Sequence, residues 1–165
     1  MDLVSLFNSV RDIPYRIPLK WGEEDNCCSG KHEKLYHLLT RHGYKVRYRV
    51  CVFKWKDLGI PSELEKIPHD GDCTHTYLEI KLNGNWRVLD ATWDIGLKEL
   101  FHVNIWDGRS DTKIAVKYIK IFSPEKSLDI VNNQDKQVIE DDLRVNREFY
   151  KVFNEWLDNN RKATF

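Results

Sequence analysis

Asn83-Gly84, set between two runs of alternating polarity, constrains this chain more than any other feature. Both central positions of a two-residue hairpin turn need positive φ, which Asn and Gly tolerate. Thr74 to Leu82 and Asn85 to Thr92 are therefore expected to fold back on each other as antiparallel strands. With Leu82 opposite Asn85, counting back sets Tyr77 across from Asp90 and His75 across from Thr92. His75 and Asp90 then share a face as diagonal neighbours, their Cα atoms roughly 7–8 Å apart. Leu78, Ile80, Leu82, Leu89, Ala91 and Trp93 fall on the other face, the expected core side.

The elements around the hairpin follow from periodicity. Leu3, Leu6, Phe7 and Val10 have helical spacing, and the prolines at 14 and 18 then force an extended strap over Asp12 to Pro18. A helix is expected from Cys28 to His42, with Leu35, Leu38 and Leu39 inward and Gly43 at its C-terminal cap. Lys45 to Trp55 alternates as a strand, with Val46, Tyr48, Val50 and Val52 on one face and Arg47, Arg49, Cys51 and Phe53 on the other. Lys56 to Cys73 reads as a long loop of the kind that forms functional lids. Lys113 to Phe122 reads as a further strand, and Phe149, Val152, Phe153, Trp156 and Leu157 mark a C-terminal helix packed on the sheet. The expected fold is α+β, helices flanking a mostly antiparallel sheet, in one domain over residues 1–165.

Charge narrows the function classes. The 26 Lys and Arg are matched by 26 Asp and Glu, so the chain lacks the uncompensated cations that tracking a nucleic-acid backbone requires. No apolar run approaches the ~20 residues that span a bilayer, and residues 1–5 lack a secretory leader pattern, so a cytoplasmic protein without membrane partners is expected. In that compartment Cys27, Cys28, Cys51 and Cys73 are expected to be free thiols. The sequence carries no signal for oligomeric state.

One of those thiols stands out. Cys28 opens the expected helix, where unpaired backbone N–H groups and the helix dipole favour a thiolate. At ~100° per residue Cys28 lies within about 20° of the inward Leu35 direction and Cys27 roughly 80° away, so Cys28 is the nucleophile candidate and Cys27 a bystander. His75 is the candidate base, with Nδ1–H donated to an orienting Asp90 and Nε2 left for the thiol. Cys51 and Cys73 read as packing residues, with contact to the site as the alternative for Cys73, two residues before the candidate base. A zinc site from Cys27, Cys28, Cys73 and His75 is disfavoured, because adjacent cysteines chelate poorly and no Cys-x-x-Cys pair exists. His32, His37 and His42 read as a solvated helix face, Lys45, Arg47 and Arg49 as a basic strand face in contact with solvent or a loop, and Glu140-Asp141-Asp142 as acids complementing a helix start. Trp55, Trp93 and Trp106 are candidates to line a groove. No cofactor or metal is called for by this pattern.

The same residues carry a resemblance. Cys28-Ser29-Gly30-Lys31-His32 with Leu35, Leu38 and Leu39, then Gly43-Tyr44-Lys45-Val46-Arg47, resembles the nucleophile helix and following strand of the transglutaminase-like superfamily. His75-Thr76-Tyr77-Leu78-Glu79 and Asn83 to Asp94 resemble its His and Asp strands, and Asp12-Ile13-Pro14-Tyr15 is similar to sequences upstream of the Cys in small microbial members. The match spans residues 28–94 in the order Cys, His, Asp. It implies a papain-like fold with Cys28, His75 and Asp90 catalytic. It also implies an acyl hydrolase or acyltransferase working on an amide of a peptide or protein through a thioester that water or an amine resolves. The Cys28 N–H would hold the oxyanion, with Trp21, Asn26 and Trp93 as candidate supports. The alternative is a binding module that keeps this fold without turnover.

Overall fold

The turn forms as the sequence requires. A computed structural model describes residues 1–162, and in it Asn83 and Gly84 have φ of 48° and 83°. They join β2 (Asp72–Leu82) to β3 (Asn85–Leu89), with Leu82 opposite Asn85 and Leu78 opposite Leu89. The expected register holds to Leu89, and there the ladder stops. The Asp90 N–H donates to the Thr112 hydroxyl at 2.8 Å, and the Asp90 carboxylate turns the chain by accepting the Thr92 N–H at 3.0 Å. Asp90 and Thr92 therefore never pair across from Tyr77 and His75.

β1 (Val46–Lys54) runs antiparallel to β2 along its whole length, with Cys51 opposite His75. β4 (Tyr118–Ile121) pairs with the other edge of β1 and completes a sheet of order β3-β2-β1-β4. It is shorter than the expected Lys113 to Phe122. The N–H groups of Lys113 and Ala115 go instead to the Asn104 side chain at 3.1 Å and to Asp90 at 2.8 Å.

Both faces of the sheet are covered. On one, α1 (Leu3–Arg11) and α2 (Cys28–Arg41) bring Leu6, Phe7, Val10, Leu35 and Leu39 onto Leu78, Ile80, Leu89 and Ala91. On the other, α5 (Lys136–Asn160) lays Phe149, Phe153 and Leu157 against Cys51, Phe53, Trp55 and Tyr77. The His75 face is therefore a second core layer, not a less apolar surface. Trp93 belongs to that second layer because the chain has left the ladder before reaching it. Five α-helices and this antiparallel sheet make an α+β fold among the described residues, and none of these helices is long and apolar enough to cross a membrane.

The segment after β1 is less open than a free loop. A 3-10 turn (Trp55–Leu58) and α3 (Ser62–Glu65) carry Ile60 and Leu64 into the core, and the Trp55 N–H donates to the Gly71 carbonyl at 3.0 Å. α4 (Pro124–Asn132) is set by Ser123-Pro124, where the Ser123 hydroxyl caps the first turn and Pro occupies a position whose N–H would be unpaired. Its buried Ser127 hydroxyl accepts the Val50 N–H at 2.9 Å, past the end of β4.

α5 buries two asparagines in its apolar stripe, and both grip backbone. Asn154 accepts the Ile17 N–H at 2.9 Å and donates to the Ile17 carbonyl at 2.8 Å, holding the strap as a neighbouring strand would. Asn146 accepts the Asp70 N–H at 2.8 Å. Asn154→Ala strands both backbone groups of Ile17 and is expected to cost about 2 kcal/mol, read as a lower denaturation midpoint at unchanged m-value.

Candidate active site

α2 begins in a conformation that leaves donors free. Cys27 is its N-cap in extended geometry and offers no side-chain cap, so the N–H groups of Cys28 and Ser29 have no partner among the described residues. The preceding turn is pinned by Asp25, whose carboxylate accepts the Cys27 N–H at 2.8 Å. Gly30 is obligatory here, because a Cβ would run into the Asp25 carbonyl oxygen.

His75 and Asp90 meet despite the broken ladder. The turned-out Asp90 brings its Oδ2 to 2.8 Å from His75 Nε2, with both side chains almost fully buried. The contact uses the opposite ring nitrogen from the one expected. Nδ1, which has no other partner among the described residues, is left for the thiol. Asp90 is saturated: Oδ1 takes the Thr92 N–H and hydroxyl, and Oδ2 takes the Ala115 N–H as well as the imidazole. Burial raises the Asp90 pKa, but His75 and these donors overcome it and hold the carboxyl below its usual range.

The Cys28 sulfur faces the same imidazole. Its pKa is held well below that of an ordinary thiol, first by a hydrogen bond from Cys27 and, against burial, by contact with His75 and the Thr76 N–H. The Cys27 thiol is correspondingly pushed up and keeps its proton. The Cys27 thiol, expected as a bystander, therefore bears on the charge state of Cys28. Burial works to lower the His75 pKa, yet Asp90 and Cys28 raise it to about 10. Both directions favour a thiolate beside an imidazolium. Cys51 and Cys73 stay protonated, burial pushing Cys51 up to about 12 and Cys73 higher still.

Two neighbours of Cys28 on α2 fix its position. His32 is fully buried rather than solvated: it donates from Nδ1 to the Cys28 carbonyl at 2.7 Å and accepts the Ala91 N–H on Nε2 at 2.9 Å. A ring that donates on one side and accepts on the other is neutral, in keeping with a pKa lowered by burial. Lys31, also fully buried, donates from Nζ to the carbonyls of Arg11, Ile13 and Thr92 at 2.9, 2.8 and 2.7 Å. Burial pulls its pKa to about 7 against the nearby Asp94, Asp90 and Asp12. Apolar periodicity passes over both residues. Helical phase carries the signal, since Lys31 and His32 lie roughly 40° and 60° from Leu35.

The other expected site residues are placed differently. Trp93 is buried under Tyr15, with ring centroids 4.8 Å apart, and its indole N–H goes to the Ala115 carbonyl. Asn26 accepts Lys34 Nζ on its side chain and the Arg16 N–H on its carbonyl. Trp21 is half exposed on the turn ahead of α2. Trp55 and Trp106 are core residues of opposite layers, and Trp106 also lines a surface pocket with His102, Asn104 and Lys113 that includes none of Cys28, His75 and Asp90. Arg47 and Arg49 share the single carboxylate of Glu79 across the ladder at 2.6 and 2.8 Å, and Arg49 also donates to the Phe122 carbonyl in the loop after β4. Asp142 lies beyond the first turn of α5 and takes the Tyr150 hydroxyl at 3.0 Å, so it serves no helix start. Among the described residues no group of three or more His, Cys, Asp or Glu could hold a metal ion.

No family model, curated protein or solved structure matches the chain. Geometry and chemistry alone therefore carry the site.

Cys28 and His75 titrate against each other. Below the ordinary thiol value of 9.0 folding expels a proton from Cys28, and above the ordinary imidazole value of 6.5 it retains one on His75. Where the windows overlap the two effects cancel, and the pair adds no slope to stability. Cys28→Ser removes the thiol and leaves His75 unmatched. The stabilisation from His75 is complete below 6.5 and lost as pH rises toward its raised folded value. Denaturant titrations from pH 6.5 to 9 should show the variant losing stability relative to wild type by up to about 1.4 kcal/mol per pH unit. A pH-independent difference would contradict the pairing.

Proposed function

We propose that this chain is a cysteine-dependent acyl hydrolase or acyltransferase of the transglutaminase-like type, acting on an amide of a peptide or protein. The observation that supports it most is the buried His75–Asp90 contact of 2.8 Å set beside a thiol at the first position of α2. A core histidine needs only a hydrogen-bond partner. Here it gains a carboxylate on one nitrogen and a low-pKa thiol on the other, which is the requirement of an activated nucleophile. The order nucleophile helix, β1, His strand and Asp turn on an antiparallel sheet agrees with the resemblance in residues 28–94. Four free cysteines suit a reducing, cytoplasmic setting.

In this reading the Cys28 thiolate attacks the amide carbon, and the carbonyl π pair moves to oxygen beside the free N–H groups of the first turn. His75 gives its proton to the departing nitrogen, releasing an amine or ammonia and leaving a thioester. Neutral His75 then takes a proton from water, or from an incoming amine, as that nucleophile attacks the thioester. Asp90 holds the ring and favours its charged form.

A panel of fluorogenic peptide amides and acyl donors, run with and without a primary amine on wild type and Cys28→Ala, tests the proposal. Wild type should turn over at least one donor and the variant should lose at least about 10³-fold in rate. Amine incorporation identifies transfer, and product acid alone identifies hydrolysis. Equal rates for the two proteins would exclude Cys28 as nucleophile.

A further inference from the structure

The acyl-transfer reading needs a second hydrogen-bond donor for the developing oxyanion, and none of the three side chains expected from sequence supplies one plainly. Tyr15 stands out instead. It is 6% exposed and held on every side but one. Its N–H donates to Asp94 Oδ2 at 2.9 Å, its carbonyl accepts from Arg161 at 3.0 Å, and its ring packs on Trp93 and edge-on to Phe153 at 6.4 Å.

Its hydroxyl makes no hydrogen bond among the described residues. Nor is it one of the sealed, unpartnered polar atoms, which are Asn8 Oδ1 and Arg49 Nε. The hydroxyl therefore ends at accessible space. A buried phenol normally finds a partner, so an orphan one, on backbone fixed by the partly buried Asp94–Arg161 pair, is a donor held ready for something else.

The strap places that donor by the nucleophile. Arg16 bridges Asn26 as an isolated antiparallel pair, its N–H donating to the Asn26 carbonyl at 3.0 Å, which sets Tyr15 across from Cys27 and one residue from Cys28. Tyr15, Cys27 and Cys73 share one apolar cluster. After burial, the group that most raises the pKa of the phenol is Cys28, followed by Cys27, Cys73 and Asp25. The phenol stays protonated, as a donor must.

Resting on the acyl-transfer reading of this site, we infer that Tyr15 is a further catalytic residue, its hydroxyl joining the Cys28 N–H in binding the oxyanion. As the Cys28 sulfur forms its bond to the acyl carbon, the carbonyl π pair becomes an oxygen lone pair that accepts both hydrogen bonds. Neither proton is transferred. The pair returns to carbon when the C–N bond breaks and His75 protonates the amine.

Tyr15→Phe isolates this role, because the hydroxyl makes no hydrogen bond among the described residues. With p-nitrophenyl acetate as acyl donor, the nitrophenolate burst and the mass of the acetylated protein report acylation. Iodoacetamide labelling of Cys28 reports thiolate reactivity through a displacement that forms no oxyanion. The variant should keep the wild-type melting temperature and alkylation rate, and lose about 10²-fold in the rate constant for acylation at saturating donor. Acylation at the wild-type rate would overturn the role of Tyr15 while leaving the nucleophile intact. A parallel fall in alkylation or melting temperature would show the hydroxyl to be structural, also overturning it. A wild-type protein that is alkylated at Cys28 but never acetylated would overturn the acyl-transfer reading itself.

Discussion

A histidine ring and a carboxylate held 2.8 Å apart out of water govern how this molecule is put together. Removing both from solvent is expensive, and their attraction offsets that only when every remaining lone pair is satisfied. The chain meets this requirement with the segment after β3. Asp90 takes the hydroxyl and N–H of Thr92 and the N–H of Ala115, its own N–H goes to Thr112, and Asn104 braces the turn by donating to the carbonyls of Asp90 and Lys113. Residues 104–115, read from sequence only as the approach to a strand at Lys113, are organised around one carboxylate.

The Cys28 thiol is placed against that pair by polar grips, because an apolar helix face alone would let it slide. Lys31 ties α2 to the end of α1, to the strap and to the turn after Asp90, and His32 ties the Cys28 carbonyl to Ala91. Each grip connects the thiol helix to the segment that presents Asp90. From the opposite layer, Asn154 and Arg161 of the C-terminal region fix the strap through Ile17, Tyr15 and Asp94. Cys28, His75, Asp90 and Tyr15 thus arrive from four separate stretches of chain, with backbone-directed hydrogen bonds setting the joints.

The sequence made some of this legible. Asn83-Gly84 and the alternation around it determine the hairpin and its register to Leu89, and the phase of Leu35 picks Cys28 over Cys27 as the inward thiol. Local signals end where the backbone obeys distant partners. Strict alternation carries the strand on to Thr92, yet Asp90 leaves the ladder for Thr112 and Ala115, some two dozen residues ahead. That departure moves Trp93 to the other layer and presents Nε2 of His75 to the carboxylate. His32 reads as solvated because its type is polar, Lys31 carries no apolar signal, and only their partners, brought together by folding, explain their burial. The second covered face of the sheet is likewise invisible until α5 is placed, since Cys51, His75 and Tyr77 look like the polar side of a half-exposed strand.

The alkylation rate of Cys28 as a function of pH is the most direct test of the thiolate–imidazolium pair. Iodoacetamide modification can be followed by fragment mass spectrometry that separates Cys28 from Cys27. A rate at about pH 6 close to its neutral value, falling only in more acid solution, is what a Cys28 thiolate stabilised by His75 and Cys27 predicts. A rate that climbs tenfold per pH unit through neutrality, toward the free-thiol value of about 8.5, would contradict it.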